Sequence, residues 1–294
     1  MSETPPGDAA ASFEPLRGYL TGLAYRMLGS RAEAEDMVQE AYLRWHATDR
    51  AAVREPRAFL SRTVTRLCLD HLKSARVQRE NYVGPWLPEP LLDDSSLSVE
   101  SASEYANDLS VALLLALERL SPAERAAFLL HDVFDREFAE VAATLGRSEA
   151  ACRQLASRAR SHVRASPRRF PADPVEGKRL AAAFMLAAQT GDVAALTGLL
   201  AADATLHSDG GGVRIAALNI IRGADRIARF TAGVVRKSEM TMDVAPTLVN
   251  GLPGFVLRDP RGEVRTVAFE VGEGLIRAVY LVANPNKLKH VVGR

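Results

Sequence analysis

The spacing of apolar positions divides the chain into three stretches. From residue 13 to about residue 81 the pattern is helical. Leu16, Tyr19, Leu20, Leu23, Ala24, Met27 and Leu28 share one face of a first helix. Gly29 breaks that run, and Ser30 is placed to cap a second helix over 31–45. Its early Glu33, Glu35 and Asp36 suit the positive end of a helix. Met37, Ala41 and Leu43 to Trp45 are expected to supply its apolar contacts, leaving Asp36, Gln39 and Glu40 as a polar patch. Residues 46–56 read as a loop. A third helix over 57–79 turns Phe59, Leu60, Val64, Leu67, Cys68 and Leu72 inward. It carries Arg57, Arg62, Arg66, Lys73, Arg76 and Arg79 against Asp70 alone.

The second stretch opens with a change of character. Residues 82–108 contain Pro85, Pro88 and Pro90, and every charge from 86 to 108 is negative: Glu89, Asp93, Asp94, Glu100, Glu104 and Asp108. This predicts a linker. Within it, Trp86-Leu87-Pro88-Glu89-Pro90 is stiff and apolar, and Trp86 is expected to anchor it on a fixed site. An apolar helix over 109–120 follows, with Asp108 as its cap. Ser121-Pro122-Ala123-Glu124 has the form of a capping box starting a helix over 123–133. Phe138, Val141, Ala142 and Leu145 then make one helical face, Gly146 ends it, and Ser148 caps a last helix. Cys152, Leu155, Ala159 and Val163 form the inner stripe of that helix, with Arg153, Gln154, Ser157, Arg158 and Arg160 off it. From 147 to 169 the charges are Arg147, Arg153, Arg158, Arg160, Arg164, Arg168 and Arg169 against Glu149. A helix-turn-helix with so basic a second helix is suited to a DNA major groove. Residues 166–174 read as a second linker.

The third stretch is mixed. A helix over 178–189 and another capped by Asp192 precede an extended run at 204–207 and the turn Asp209-Gly210-Gly211-Gly212. A helix over 223–237 leads into strand-like runs at 240–249, 254–258, 264–271 and 275–282. In the third run Val267, Phe269 and Val271 alternate with Ala268 and Glu270. Helices followed by an antiparallel meander predict an α+β domain of about one hundred residues.

Composition changes this picture little. The chain has 294 residues, 47% of them hydrophobic, enough for packed cores in two or more domains. The net charge of +1 would not mark a nucleic-acid binder, but the basic residues are clustered. Cys68 and Cys152 read as core residues of a reducing compartment. The longest apolar run, 180–188, is too short to span a membrane. Residues 1–12 carry no signal-peptide pattern and read as a disordered lead-in, so a cytoplasmic protein is expected. No metal-ligand spacing or nucleophile–base pair appears, so neither cofactor nor enzyme activity is expected.

The segments AYRMLGSRAEAEDMVQEAYLRWH and PRAFLSRTVTRLCLDHLKSAR resemble domain 2 of the extracytoplasmic-function sigma factors of bacterial RNA polymerase. LERLSPAERAAFLLHDVFDREFAEVAATLGRSEAACRQLASRAR resembles domain 4 of the same family. The resemblance covers 13–164. The third stretch is similar to the SnoaL-like, NTF2-like fold. WLPEP at 86–90, DGGGVR at 209–214 and NPNKL at 284–288 resemble motifs of the sigma-J-type members, with Asn286 where an aspartate is usual. The implied fold is all-α sigma domains 2 (13–81) and 4 (109–166), followed by an α+β domain over 178–294.

The resemblance also implies partners and sites. Asp36, Gln39 and Glu40 match the face that docks on the β′ coiled coil of core polymerase, and domain 4 would meet the β flap. Arg62, Thr65, Arg66, Lys73 and Arg76 match the −10 reader. Arg147, Ser148, Arg153, Gln154, Ser157 and Arg158 match the −35 reader, where arginine suits guanine or phosphate and glutamine suits adenine. The acidic linker matches a segment that threads near the RNA exit path. An interdomain regulatory set would comprise Trp86, Leu87, Pro88, Glu89, Pro90, Asp209, Gly210, Gly211, Gly212, Arg214, Asn284, Pro285, Lys287 and Leu288, with Arg214 pairing Glu89. The attached domain would stand in for an ordinary anti-sigma factor, and its pocket is open to an unknown small ligand near His207, Asp209, Arg214 and Tyr280. The competing readings are a ligand-sensing helix-turn-helix regulator, against which the acidic patch argues, and a SnoaL-type enzyme, which no catalytic constellation supports.

Overall fold

The computed structural model describes residues 6–80, 82–92, 108–165, 173–238 and 242–292. The side chains of residues 6–8, 75–80, 237 and 238 lie outside that description, Arg76 and Arg79 among them. So do the acidic linker residues Asp93, Asp94, Glu100 and Glu104, and Arg168 and Arg169 of the second linker. The chain divides into two compact units, one within Met1–Glu80 and Asp94–Pro167, the other within Asn81–Asp93 and Arg168–Arg294.

The first unit is helical. Helix α1, Pro6–Leu28, begins inside the stretch expected to be disordered. Ala9 and Phe13 are fully buried, and the Ser12 hydroxyl accepts from the Trp45 indole at 3.1 Å. The alanine-rich lead-in has high helix propensity and an apolar surface to cover, which overrides its low-complexity look. Helix α2, Arg31–Ala47, starts at Ser30, whose hydroxyl accepts from the Glu33 amide at 3.2 Å. It buries Ala34, Val38, Ala41 and Trp45. Leu43 does not join them and is 55% exposed. Two positions apart on a helix point to nearly opposite sides, so Leu43 and Trp45 cannot both face the core. Helix α3, Pro56–Glu80, carries the fully buried Leu60, Val64 and Cys68, and burial pushes the Cys68 thiol up.

Helices α4 (Val111–Glu118) and α5 (Pro122–Phe128) follow; Ser110, not Asp108, caps α4, and the Ser121–Glu124 box is complete. A π-helical turn, Leu129–Val133, leads to α6 (Phe138–Leu145) and α7 (Glu149–Ala165). Arg125, 4% exposed, ties α5 to α1 by donating to the Met27 carbonyl at 2.5 Å, and it pairs with Glu118 at 2.9 Å.

The second unit is α+β. Helices α8 (Pro174–Thr190) and α9 (Val193–Leu199) run into β1 (Leu200–Asp209). Strand β2 (Ile221–Arg222) and α10 (Ala224–Ser238) precede β3 (Asp243–Val249), β4 (Leu252–Arg258), β5 (Val264–Gly272) and β6 (Leu275–Val282). The sheet order is β2-β1-β6-β5-β4-β3. The last four strands form the expected antiparallel meander, while β1 lies parallel to β6. Phe184, Leu206, Ile227, Phe255, Val267 and Phe269 belong to one core between sheet and helices. A four-residue helix, α11 (Lys289–Val292), closes the described chain. Among the described residues, no helix is long and apolar enough to cross a membrane, and no group of His, Cys, Asp or Glu is arranged to hold a metal ion.

Candidate functional site: two basic helices and a clamped strap

In the helix-turn-helix, Gly146 adopts the left-handed conformation (φ 63, ψ 39), and the Arg147 amide closes back on the Ala142 carbonyl at 3.1 Å. The Ser148 hydroxyl then accepts from the Ala151 amide at 3.2 Å. Burial of Cys152, Leu155, Ala156, Ala159 and Val163 fixes the rotation of α7. Arg147, Ser148, Arg153, Gln154, Ser157 and Arg158 are thereby exposed together. Arg153 is held by Glu149 at 2.7 Å and lies 5.2 Å from the Phe138 ring, so the guanidinium is steered along the helix. Arg160, expected on the outer face, instead pairs with Asp132 at 2.5 Å.

Helix α3 divides its basic residues. Lys73 is exposed and pairs with Asp70 at 2.7 Å, which lowers the Asp70 carboxyl below its ordinary range. Arg66 donates to the carbonyls of Thr144 (3.1 Å) and Ala143 (3.0 Å), where α6 ends with free acceptors. Arg62 lines a cleft with Arg136, Glu140 and Val141. Thr65, assigned to DNA from the sequence, is fully buried and donates to the Ser61 carbonyl at 2.7 Å. It shares the helix face of Ser61 and Cys68, four and three positions away, so it points to the core. On α2, Asp36 and Gln39 are exposed and Glu40 half-buried, and Leu43 extends this patch by one turn.

In the second unit, residues 82–92 form a strap built on one carboxylate. Asp209, at the end of β1, is wholly buried. Its Oδ1 accepts from the Tyr82 hydroxyl at 2.5 Å and the Gly211 amide at 3.0 Å. Its Oδ2 accepts from the Leu87 amide at 2.9 Å and Lys287 Nζ at 2.7 Å. A buried carboxylate costs several kcal/mol to desolvate, and one cation plus three further donors offset that. Lys287 also donates to the Leu87 carbonyl and sits 4.3 Å from the Trp86 ring. The Asn284 amide donates to the Tyr82 oxygen at 2.9 Å. Burial first, and the Asp209 bond second, push the Tyr82 phenol up. Further along, Leu91 and Asn250 exchange bonds (3.1 and 2.7 Å), and Leu92 bridges Val249. His290 sits 2.7 Å from the Pro90 carbonyl and 3.0 Å from the Glu89 carboxylate.

Two expectations are corrected here. The anchor is Leu87, fully buried, rather than Trp86, which is only half-buried. Glu89 pairs with His290, and Arg214 pairs with Glu263 at 2.5 Å, so the Arg214–Glu89 contact does not form. The strap itself packs within the C-terminal unit, as expected of a WLPEP segment that docks on the third domain. The glycines of DGGGVR answer to close approach. A Cβ on Gly210 would lie 2.2 Å from the Arg214 carbonyl, and one on Gly211 (φ 61) 2.2 Å from the Asn284 amide. Asn284 and Leu288 are both buried, with Pro285 between them in sequence and half-buried, whereas Asn286 is exposed. The missing carboxylate at Asn286 therefore leaves the cluster intact. Tyr82, Asn250 and His290 escaped sequence reading. Asn250-Gly251 is a turn signal, with both residues at positive φ, but nothing local marks its side chain as a strap partner. His207 and Tyr280 spend their polar atoms on Thr205 (3.2 Å) and Glu270 (2.7 Å).

A pair of helical DNA-binding modules ahead of an α+β domain defines a transcription factor class, and comparison with known proteins fixes it. The family model "Sigma-70 region 2" matches residues 13–77, and "Sigma-70, region 4" matches 110–163. The chain is 40% identical over 288 residues to the ECF RNA polymerase sigma factor SigJ of Mycobacterium tuberculosis (strain ATCC 25618 / H37Rv), covering 94% of this chain and 92% of that protein. It is 32% identical over 293 residues to the probable ECF RNA polymerase sigma factor SigI of the same strain, covering 98% and 97%. The crystal structure of M. tuberculosis SigJ superposes with a TM-score of 0.73 at 36% identity, covering 95% of this chain and 98% of that one. The chain belongs to the ECF RNA polymerase sigma factors and is of the SigJ type. It is a promoter-specific transcription initiation factor whose partners are core RNA polymerase and promoter DNA.

Proposed function

We propose that the C-terminal domain regulates this sigma factor from within the same chain, by holding or releasing the strap. The observation that carries the reading is the Asp209 cluster. It joins β1, the DGGGVR turn and the NPNKL turn to Tyr82 and Leu87 through five side-chain bonds, with Asp209 wholly buried at their centre. The strap directly follows domain 2 in sequence, so its docked length sets how much chain is left to reach domain 4. On this reading no separate anti-sigma factor is needed, the C-terminal domain has no catalytic task, and the protein acts in the cytoplasm.

Asp36, Gln39, Glu40 and Leu43 are assigned to the β′ coiled coil, since an apolar side chain rimmed by carboxylates suits a basic partner helix. The α3 arginines and Lys73 are assigned to the −10 element, α7 to the −35 element, and domain 4 to the β flap. The test is run-off transcription with core polymerase, comparing the full chain, a chain ending at Asp173, and Asp209→Asn. Truncation and Asp209→Asn are expected to change activity in the same direction. Wild-type activity in both would reject regulation through the strap.

A further inference from the structure

A charged face that this function leaves unused lies on α10. Ala224, Ile227, Ala228, Phe230 and Ala232 pack on the core of the C-terminal domain. The opposite side of the helix presents Arg226, Arg229, Gly233 and Arg236 at spacings of three, four and three, a single stripe. All three arginines are exposed. Arg229 is held by Asp225 at 2.9 Å, whereas no hydrogen bond or ion pair to Arg226 or Arg236 occurs among the described residues. Gly233 is the second observation. A glycine inside a helix is less favourable than alanine. Gly233 lacks a positive φ, and a Cβ there would meet nothing within 4 Å. Neither backbone nor packing requires it, and its bare backbone opens the middle of the stripe to a close neighbour.

We propose that this arginine stripe binds the phosphate backbone of duplex DNA, giving the C-terminal domain a sequence-independent contact of its own. From Arg226 to Arg236 the helix rises about 15 Å. That compares with a major groove about 12 Å wide, so one helix lying across it reaches phosphates on both strands. A protein partner would favour a charge-poor, apolar centre. Here the centre is a glycine and its neighbours are cations. The sigma domains already bring duplex DNA to the chain, so a weak second contact gains from high effective concentration.

The experiment measures affinity of the full chain for a duplex of arbitrary sequence across a salt series. Each phosphate contact contributes about 0.9 to the slope of log K against log salt, so R226Q/R236Q is expected to lower that slope by about two. Gly233→Glu adds a carboxylate in open space and is expected to weaken binding tenfold or so at low salt, with thermal stability kept or raised. An unchanged slope in R226Q/R236Q together with unchanged affinity in the Gly233→Glu chain overturns the proposal. So does an unchanged slope accompanied by weaker binding to core polymerase, which would assign the face to a protein.

Discussion

At the scale of residues, the strap depends on a proton at Tyr82. Its hydroxyl donates to the Asp209 carboxylate and accepts from Asn284, and the side chain is half-buried. Desolvation and the Asp209 charge both disfavour the phenolate, so the Tyr82 pKa is raised in the docked state. The undocked value is about 10. A raised pKa means that the docking stability from this group is complete below about pH 10 and is lost as pH rises through the displaced value. The prediction concerns the ultraviolet tyrosinate signal. Of the six tyrosines, Tyr82 is isolated by subtracting the titration of the Tyr82→Phe chain from that of the wild type. The difference should titrate above the ordinary tyrosine range. A midpoint at or below about 10 would mean that Tyr82 is not buried against Asp209 in solution. The neighbouring Asp209–Lys287 pair is of the kind in which loss of one partner costs about 3–5 kcal/mol, because the other is left buried and uncompensated.

At the scale of elements, the strap and the helix-turn-helix differ in how they are held. The helix-turn-helix is local: Gly146, Ser148 and the apolar stripe of α7 lie within twenty residues, which is why its limits and its exposed arginines, Arg160 excepted, are legible from spacing. The capping box at Ser121 was legible for the same reason. Leu43 lies outside the core because helical phase, not apolar composition, decides which side chains at the end of α2 are buried. The strap is held by residues more than one hundred positions away, Asp209, Asn250, Lys287 and His290. Sequence marks that these loops are unusual but carries no signal for which pairs meet, and charge alone does not distinguish the expected Arg214–Glu89 pair from the observed Arg214–Glu263 and His290–Glu89 pairs. Tryptophan was expected to anchor the strap because of its area. The fold instead buries Leu87 and leaves the Trp86 ring beside Lys287. Leu87→Ala should therefore cost about 2–5 kcal/mol of docking. Trp86→Ala should cost less, on the order of the 0.5–2 kcal/mol of a cation–π contact plus partial burial. Hydrogen exchange at the Leu87 and Leu91 amides, bonded to Asp209 and Asn250, reads the difference. Faster exchange in Trp86→Ala than in Leu87→Ala would restore tryptophan as the anchor.

At the scale of the whole molecule, the two sigma modules pose a geometric problem. They form one compact unit in which Arg66 of α3 bonds the carbonyl end of α6, Arg125 of α5 bonds that of α1, and Arg136 donates to Tyr19 at 3.2 Å. Elements centred at −10 and −35 are separated by about 25 base pairs, on the order of 85 Å at ~3.4 Å each. Modules in hydrogen-bond contact cannot occupy both, and Arg66 cannot meet DNA while it caps α6. On the proposed assignment of α3 to the −10 element and α7 to the −35 element, the unit opens when polymerase and promoter bind and the three arginine contacts are lost. Opening exposes free helix ends to water, which can satisfy them and so lowers the cost of separation. Labels at Ala11→Cys on α1 and Arg119→Cys at the end of α4, both exposed and outside the assigned contacts, report this, because the native Cys68 and Cys152 are buried and burial pushes both thiols up, away from reactive thiolate. Energy transfer between the labels should be high in the free protein and fall when core polymerase and promoter DNA are added. In Arg125→Met, which keeps length but loses the bonds to Met27 and Glu118, the free protein should already show lower transfer and bind core polymerase more tightly. Labels that stay close in a transcribing complex would show that the closed pairing of the modules is the working form, and the assignment of α3 and α7 to separate promoter elements would fall with it.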